Sequence, residues 1–294
     1  MHSKNKRKFK NIVYVNGSFM NGYHNHISIM DRGFNLADGI FETMVANNQR
    51  IFCIDDHIKR LGHSAEVLNI DLLSSNEIKD ILYETVKQNE LAYSVVRLTV
   101  TRGVDHNRGL QVHEGITPSV MVRIVPWDGP ATDVPKGRRL CFSSVVRNDL
   151  SPLSNVKSLA YTESVIARLD AQKKGFDDAL MLNTKHSVTG ATSSNIFLVM
   201  GGKLITPPLS DGVLPGIARS RIIQLVESME VPFLEQSITK THVEYSQEIF
   251  ISNVVTGIVP ITNVEDNFIA EKPFGPVTKQ LFESYRNILA QELS

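Results

Sequence analysis

The sequence predicts a mixed α/β (α+β) protein of two domains, and three observations carry that prediction. Short β-rich runs such as Tyr93 to Thr101 alternate with stretches whose apolar residues recur every three or four positions, so strands and helices share the chain throughout. A chain of 294 residues has room for two cores. Between its halves lies a break in composition, Pro126-Trp127-Asp128-Gly129-Pro130-Ala131-Thr132-Asp133-Val134-Pro135-Lys136-Gly137, which favours neither helix nor strand. The expected organisation is a disordered basic tail over residues 1–10, a small N-terminal domain over 11–126, a linker over 127–137 and a larger domain over 138–294.

Each element has a local reason. Asn11 to Gly17 reads as a strand ending in an Asn-Gly turn, the strongest short hairpin signal, with a return arm from Phe19 toward Ile29. Asp31 to Asp38 is rich in turn formers and feeds a strand through Val45, with a turn at Gln49-Arg50. A helix begins at Asp55, because Ile54, Ile58, Leu61, Ala65 and Leu68 make one apolar stripe. Arg60 lies off that stripe, with solvent as its default partner, and His57 beside Asp56 reads as capping or surface charge. Ser74 and Glu77 carry the pattern of a capping box ahead of a second helix. Strands at Tyr93–Thr101 and Pro118–Val125 flank a loop, Arg102 to Gly109, whose two Arg-Gly pairs suit either an anion site or a solvated turn.

Beyond the break come a strand at Leu140–Val146 and a helix carrying Val165, Ile166 and Leu169 that stops at Gly175. A strand at Asp178–Asn183 follows, then β segments at Val188–Thr192 and Asn195–Val199, and a Gly201-Gly202 hairpin turn. A helix opens after Pro215-Gly216, a buried-type strand covers Glu248–Val255, and a last helix covers Pro276–Leu293.

Composition narrows the function. The 31 Lys and Arg balance 31 Asp and Glu, so no global field draws the chain to nucleic acid or an acidic membrane. Two cysteines, Cys53 and Cys141, are too few for a disulfide framework and suit a reducing cytoplasm. No apolar run approaches the roughly 18 residues of a membrane span, and the basic opening lacks the apolar segment of a secretory signal. His24 and His26 give no full metal-ligand set, and no glycine fingerprint for nucleotides follows a strand.

Candidate chemistry lies in four places. Ser154-Asn155-Val156-Lys157-Ser158-Leu159-Ala160-Tyr161 sets a lysine between an apolar segment and a helix, where it can project into a cleft as a Schiff-base lysine does. Gly216, ahead of an amphipathic helix, opens backbone N–H groups at the positive end of a helix dipole, a setting that suits phosphate. Asn253-Val254-Val255-Thr256-Gly257 could supply further N–H donors, and Arg60 a fixed cation with fork geometry.

These residues resemble the fold-type IV pyridoxal-phosphate enzymes, the class IV family of branched-chain and D-amino-acid aminotransferases and aminodeoxychorismate lyases. The resemblance runs from about Val13 to Ile261. It rests on Asp31-Arg32-Gly33-Phe34 with Asp38-Gly39-Ile40-Phe41-Glu42-Thr43, His57-Ile58-Lys59-Arg60-Leu61, Thr101-Arg102-Gly103 and Lys157-Ser158-Leu159. Asn195-Ile196-Phe197, Gly212-Val213-Leu214-Pro215-Gly216-Ile217 and Ile258-Val259-Pro260-Ile261 complete it. The resemblance implies a small N-terminal α/β domain, a larger C-terminal β-barrel-like domain with helices, and a homodimer. It implies pyridoxal 5'-phosphate bound through Lys157, which would also shuttle the substrate's α-proton. Arg60, the N–H groups of Ile217 and Ala218, and the loop at Asn253-Val254 would hold the phosphate. Phe34, Arg102, Arg108 and Val255 would lie on the substrate side, with Arg102 at a position that grips a carboxylate in D-amino-acid aminotransferases.

Departures matter as much. The family usually places a glutamate five residues before the Asn of Asn-x-Phe, against the pyridine nitrogen; counting back from Asn195 gives Gly190. Ala218 and Val254 stand where hydroxyls commonly touch phosphate, and Ala160 where an asparagine is common. Three functions follow as expectations: an aminotransferase acting on an amino acid, with branched-chain substrates among the candidates, and a 2-keto acid; a lyase releasing pyruvate and 4-aminobenzoate from 4-amino-4-deoxychorismate; or a non-catalytic descendant. With an otherwise standard pocket, Gly190→Glu should raise transamination.

Overall fold

The computed structural model describes residues 10–24, 26–47, 50–133, 135–229, 231–269 and 275–294. The expected basic tail lies outside them except for Lys10, as does Gln49 of the expected turn. The chain divides into two compact units between Gly129 and Pro130, with Glu292–Ser294 grouped with the first.

The first unit begins with the hairpin β1 (Ile12–Val15) and β2 (Ser18–Asn21), joined at Asn16-Gly17. The return arm ends at Asn21 rather than continuing toward Ile29. Asp31 caps a short helix, α1 (Arg32–Leu36), where turn chemistry alone suggested a loop. Then come β3 (Gly39–Asn47), β4 (Arg50–Ile51), α2 (Ile54–Leu68), α3 (Ser75–Asn89), β5 (Tyr93–Thr101) and β6 (Ser119–Pro126). The capping box at α3 is complete: Glu77 N donates to Ser74 Oγ and Ser74 N donates back to Glu77 Oε2. The strands form one antiparallel sheet in the order β2-β1-β6-β5-β3-β4. β3 is buried along nearly its whole length, while β5 alternates between faces.

The second unit opens with β7 (Arg138–Arg147), α4 (Thr162–Lys173), β8 (Asp178–Asn183), β9 (Val188–Ala191), β10 (Asn195–Met200) and β11 (Lys203–Thr206). It continues with α5 (Ile217–Ser228), β12 (Phe233–Glu235), α6 (Lys240–Glu244), β13 (Glu248–Asn253), β14 (Gly257–Val264), β15 (Asn267–Phe268) and α7 (Pro276–Leu293). Its nine-stranded sheet follows the order β12-β11-β10-β13-β14-β7-β8-β9, with β15 on β14. The two ends of that path approach each other, because Val188 of β9 donates its N–H to the carbonyl of Ile238, just after β12, at 2.7 Å. The sheet is therefore barrel-like. Its interior is a cluster of branched aliphatics including Leu140, Leu180, Ile196, Leu198, Ile249 and Ile251, each buried, and such residues pack well on a pleated surface.

One helix packs through its small residues. Val165, Ile166 and Leu169 of α4 are each about half exposed, while the small residues Ala167 and Ala171 face Cys141, Ala179 and Met181. Small side chains let α4 lie close on β7 and β8; the larger apolar residues point outward. No helix among the described residues is long and apolar enough to cross a membrane.

Candidate active site

The second unit builds the lysine's surroundings from three segments. Lys157 Nζ donates to the Tyr161 hydroxyl at 3.5 Å and stands 5.8 Å from that ring's centre. The loop before Lys157 is fastened to the segment that leads into α5. With its amide nitrogen turned toward them, the orientation that two facing carbonyls require, the Asn155 carboxamide donates to Val213 O (2.8 Å) and Leu209 O (3.2 Å). A Cβ on Gly212 would lie 2.9 Å from Asp149 Cβ, a measure of how closely the two segments run.

The start of α5 is open. Gly216 is its N-cap and offers no side-chain bond to the first turn. The N–H groups of Ile217, Ala218 and Arg219 precede the first intrahelical bond, which Ser220 makes to the Gly216 carbonyl. A side chain at 216 is excluded, because its Cβ would fall 2.0 Å from Asn195 Oδ1. Asn195 Nδ2 donates to the Leu214 carbonyl at 3.0 Å, and this fixes the turn that aims the helix.

The third segment follows β13. Asn253 Oδ1 accepts from the N–H groups of Val255 (3.0 Å) and Thr256 (2.8 Å), while its Nδ2 donates to Ser194 Oγ at 3.0 Å. Ser194 and Asn195 are adjacent, so one short stretch ties the Asn253 loop and the start of α5 together. The structure thus groups Lys157, Ile217, Ala218, Asn253, Val254 and Val255 within one unit, though the Val255 N–H is committed to Asn253.

Gly190, in β9, has φ +143°, a backbone setting that L side chains rarely adopt. A Cβ there would meet the Ser194 carbonyl oxygen at 2.5 Å, the oxygen that also accepts from Ala191 N. Next to it, the Thr189 hydroxyl accepts from Arg147 Nη1 at 3.2 Å. The nearby carboxylate of Asp178 is taken up by Arg168, by Thr192 Oγ1 (2.6 Å) and by its neighbour's N–H (2.8 Å).

The first unit holds the remaining expected residues, and two of them differ from the sequence reading. Arg60 is buried rather than solvated: Nε and Nη2 donate to the two oxygens of Glu42 at 2.7 and 2.6 Å. His57 is fully buried, with Nδ1 2.7 Å from Glu42 Oε2, so it is neither a cap nor surface charge. Burial pushes the Glu42 carboxyl pKa up, but Arg60 and His57 outweigh it and bring the pKa down to about 2.

Arg102 is engaged at four points. Nε and Nη2 donate to Asp38 at 2.7 and 3.0 Å, and Nη1 and Nη2 donate to the Asn69 and Leu68 carbonyls at the end of α2. A guanidinium there satisfies open carbonyls and opposes the negative end of the helix dipole. Arg32, which sequence reasoning did not single out, bonds Asp38 at 2.9 Å and the carbonyls of Gly109, Leu110 and Gln111. The Arg-Gly loop is held in place by these pairings. Arg108 and Phe34 are exposed.

Two residues of the lysine's surroundings were also missed. Tyr161 carried a signal, since four positions separate it from Lys157 and tyrosine is a usable proton donor. Arg147 ends an apolar strand and carried none.

Residues 39–264 match the family model described as amino-transferase class IV. Over 278 residues the chain is 34% identical to a provisionally named branched-chain-amino-acid aminotransferase of Methanocaldococcus jannaschii, covering 94% of this chain and 96% of that one. It is 30% identical to the D-alanine aminotransferase of Bacillus licheniformis over 282 residues, 95% of this chain and 98% of that one. Among solved structures, a provisionally named 4-amino-4-deoxychorismate lyase from Legionella pneumophila superposes with a TM-score of 0.83 at 28% identity, covering 91% of this chain and 97% of that one.

Proposed function

The chain belongs to the class IV aminotransferases, and we propose that it transfers an amino group between a neutral, apolar amino acid and a 2-keto acid, using pyridoxal 5'-phosphate attached to Lys157. The observation that carries this reading is the fastening of the Lys157 loop to the segment whose end is the open start of α5. The comparisons lend no support to a non-catalytic descendant. The substrates in the names of the two relatives, branched-chain amino acids and D-alanine, support the apolar class.

The residues fit the cofactor at two of its ends. A primary amine is available for its aldehyde, and the bare N–H groups of Ile217 and Ala218 for its phosphate, in a turn with no acidic residue to oppose an anion. When bound, the cofactor withdraws electrons from the substrate Cα and so makes its proton removable. The protein's part is then to hold and move that proton. Lys157 Nζ takes it and returns it, and the Tyr161 hydroxyl orients the amine by accepting a hydrogen bond from it. With hydroxyls absent at Ala218 and Val254, the phosphate depends on backbone N–H groups of the second unit. Exposed Phe34 (72%) and Leu110 (80%) support a homodimer that covers them. The buried thiols of Cys53 and Cys141 support a reducing cytoplasm.

Keto-acid formation from leucine or alanine with 2-oxoglutarate tests the reading; no exchange with any neutral amino acid of either hand would refute it. A lyase is the second reading, favoured by Gly190: a reaction that gains an aromatic product needs a weaker electron sink. Release of pyruvate from aminodeoxychorismate without keto-acid exchange would select it.

A further inference from the structure

We propose that Asn155 is a positioning residue that fixes the span between the Lys157 amine and the open start of α5, a deepening that rests on the functional reading above. The loop that carries the lysine is a run of tight turns closed on themselves. Ser151 N donates to the Asn148 carbonyl, Ser154 N to that of Ser151 and Val156 N to that of Leu153, at 3.2, 3.0 and 3.1 Å. Asn155 reaches out of this stiff loop: with its amide nitrogen turned outward, its carboxamide holds the carbonyls of Leu209 and Val213. The next carbonyl, that of Leu214, is taken by Asn195 Nδ2 from β10. Two asparagines on two different segments thus grip consecutive carbonyls of the lead-in to α5.

Both sides of this contact are rigid, so it transmits position. Toward the helix, Pro215 has a fixed φ and Gly216 lies against Asn195 with no room for a Cβ, so the path from Val213 to the Ile217 N–H has little freedom. Toward the amine, buried Val156 and Ser158 clamp the backbone on either side of half-buried Lys157. The two segments have no slack between them, because a Cβ on Gly212 would also fall 3.5 Å from Ser154 Cβ, next to Asn155. Pyridoxal phosphate carries its aldehyde and its phosphate on one rigid ring. It can be attached to the amine and rest on α5 together only where the two protein groups stand at a matching separation. A misplacement of about 1 Å costs about 10²-fold in a reaction between held groups. Without the Asn155 donor the buried Val213 carbonyl loses its partner and the lysine loop is released from the helix lead-in. Asn155 acts through Lys157 rather than on the cofactor.

The test uses the full-length chain freed of cofactor and compares two ligands. Pyridoxamine phosphate has the phosphate but no aldehyde, and its affinity reports the α5 end alone. Pyridoxal phosphate reports the amine end, its attachment trapped with borohydride over time and mapped by peptide mass. The wild type should attach it at Lys157. Asn155→Ala should bind pyridoxamine phosphate within about threefold of the wild type, yet attach pyridoxal phosphate about 10²-fold more slowly. Gly212→Ala, which prises the same two segments apart from the other side, should give the same split. A merely structural role would not, since loss of folding lowers both readouts together. The wild-type attachment rate in either folded variant, or a parallel fall in both readouts, overturns the inference and leaves the functional reading standing. No attachment at Lys157 in the wild type overturns the functional reading, and this inference with it. Should neither variant fold, the wild type decides alone. A cofactor homologue with one extra methylene between ring and phosphate should displace pyridoxamine phosphate but attach to Lys157 at least about tenfold more slowly than pyridoxal phosphate. Attachment at an equal rate overturns the inference.

Discussion

The two units treat buried charge differently. In the first, Arg32 and Arg102 share Asp38, Arg32 also reaches Asp105, and Arg60 and His57 share Glu42. In the second, Arg168 pairs with Asp178 and Arg219 with Glu235, while half-buried Arg147 donates to the Thr189 hydroxyl and makes no ion pair among the described residues. Paired guanidinium groups frame loops and helix ends, because matched charge offsets the cost of leaving water.

The sharpest way to break this comparison is Lys157→Ala. It should abolish cofactor attachment and lower turnover by on the order of 10³-fold or more, with an unchanged melting temperature, since the proposed role gives the side chain to the reaction and not to the frame. Residual turnover near the wild-type rate would remove the lysine from the chemistry.

Glu42→Gln tests the frame. It leaves Arg60 buried against a neutral amide and should cost about 3–5 kcal/mol, read by chemical denaturation. The pH dependence has a definite sign. The folded pKa of Glu42, about 2, lies below its usual 4.5, so its stabilisation is present above 4.5 and fades as pH falls toward 2. In Glu42→Gln this part of the acid sensitivity should vanish; an identical acid profile would show that the pair contributes nothing.

Arg102→Met sharpens the comparison, because it separates framing from substrate binding. As a cap on α2 and a partner of Asp38, Arg102 should cost about 1–3 kcal/mol when removed, with KM changed less than about threefold. A KM raised by two orders of magnitude with unchanged stability would restore the carboxylate-gripping role implied by the resemblance.

Gly190→Glu should not raise transamination. The side chain would enter a left-handed backbone region and press on the Ser194 carbonyl, at a cost of about 1–3 kcal/mol. This reverses the expectation drawn from the sequence, and a gain in keto-acid exchange with unchanged stability would reinstate it. The smallest effect should come from Ser74→Ala, about 1 kcal/mol, measured as a lower midpoint without loss of activity.

What the sequence disclosed follows the range of the interactions involved. The Asn16-Gly17 hairpin, the Ser74/Glu77 box and the last helix depend on neighbours a few residues apart, and each stands where its pattern put it. The class IV motifs were legible for the same reason. Charge pairing was not. Glu42 and Arg60 are 18 residues apart and Asp38 and Arg102 are 64 apart, so only the sheet and the packing of α2 bring them together. Arg60 lies off its helix's apolar stripe and looked solvated, because the periodicity that marks a core does not register a buried ion pair. The face that α4 buries was not legible either: the alanines make the contact, while Val165, Ile166 and Leu169 stay about half exposed.

The most direct measurement is borohydride reduction of the cofactor-loaded protein, followed by digestion and mass spectrometry. A phosphopyridoxyl group on the peptide containing Lys157, and nowhere else, is the predicted result. The group on a different lysine, or none after loading with excess pyridoxal phosphate, would contradict the proposed active site.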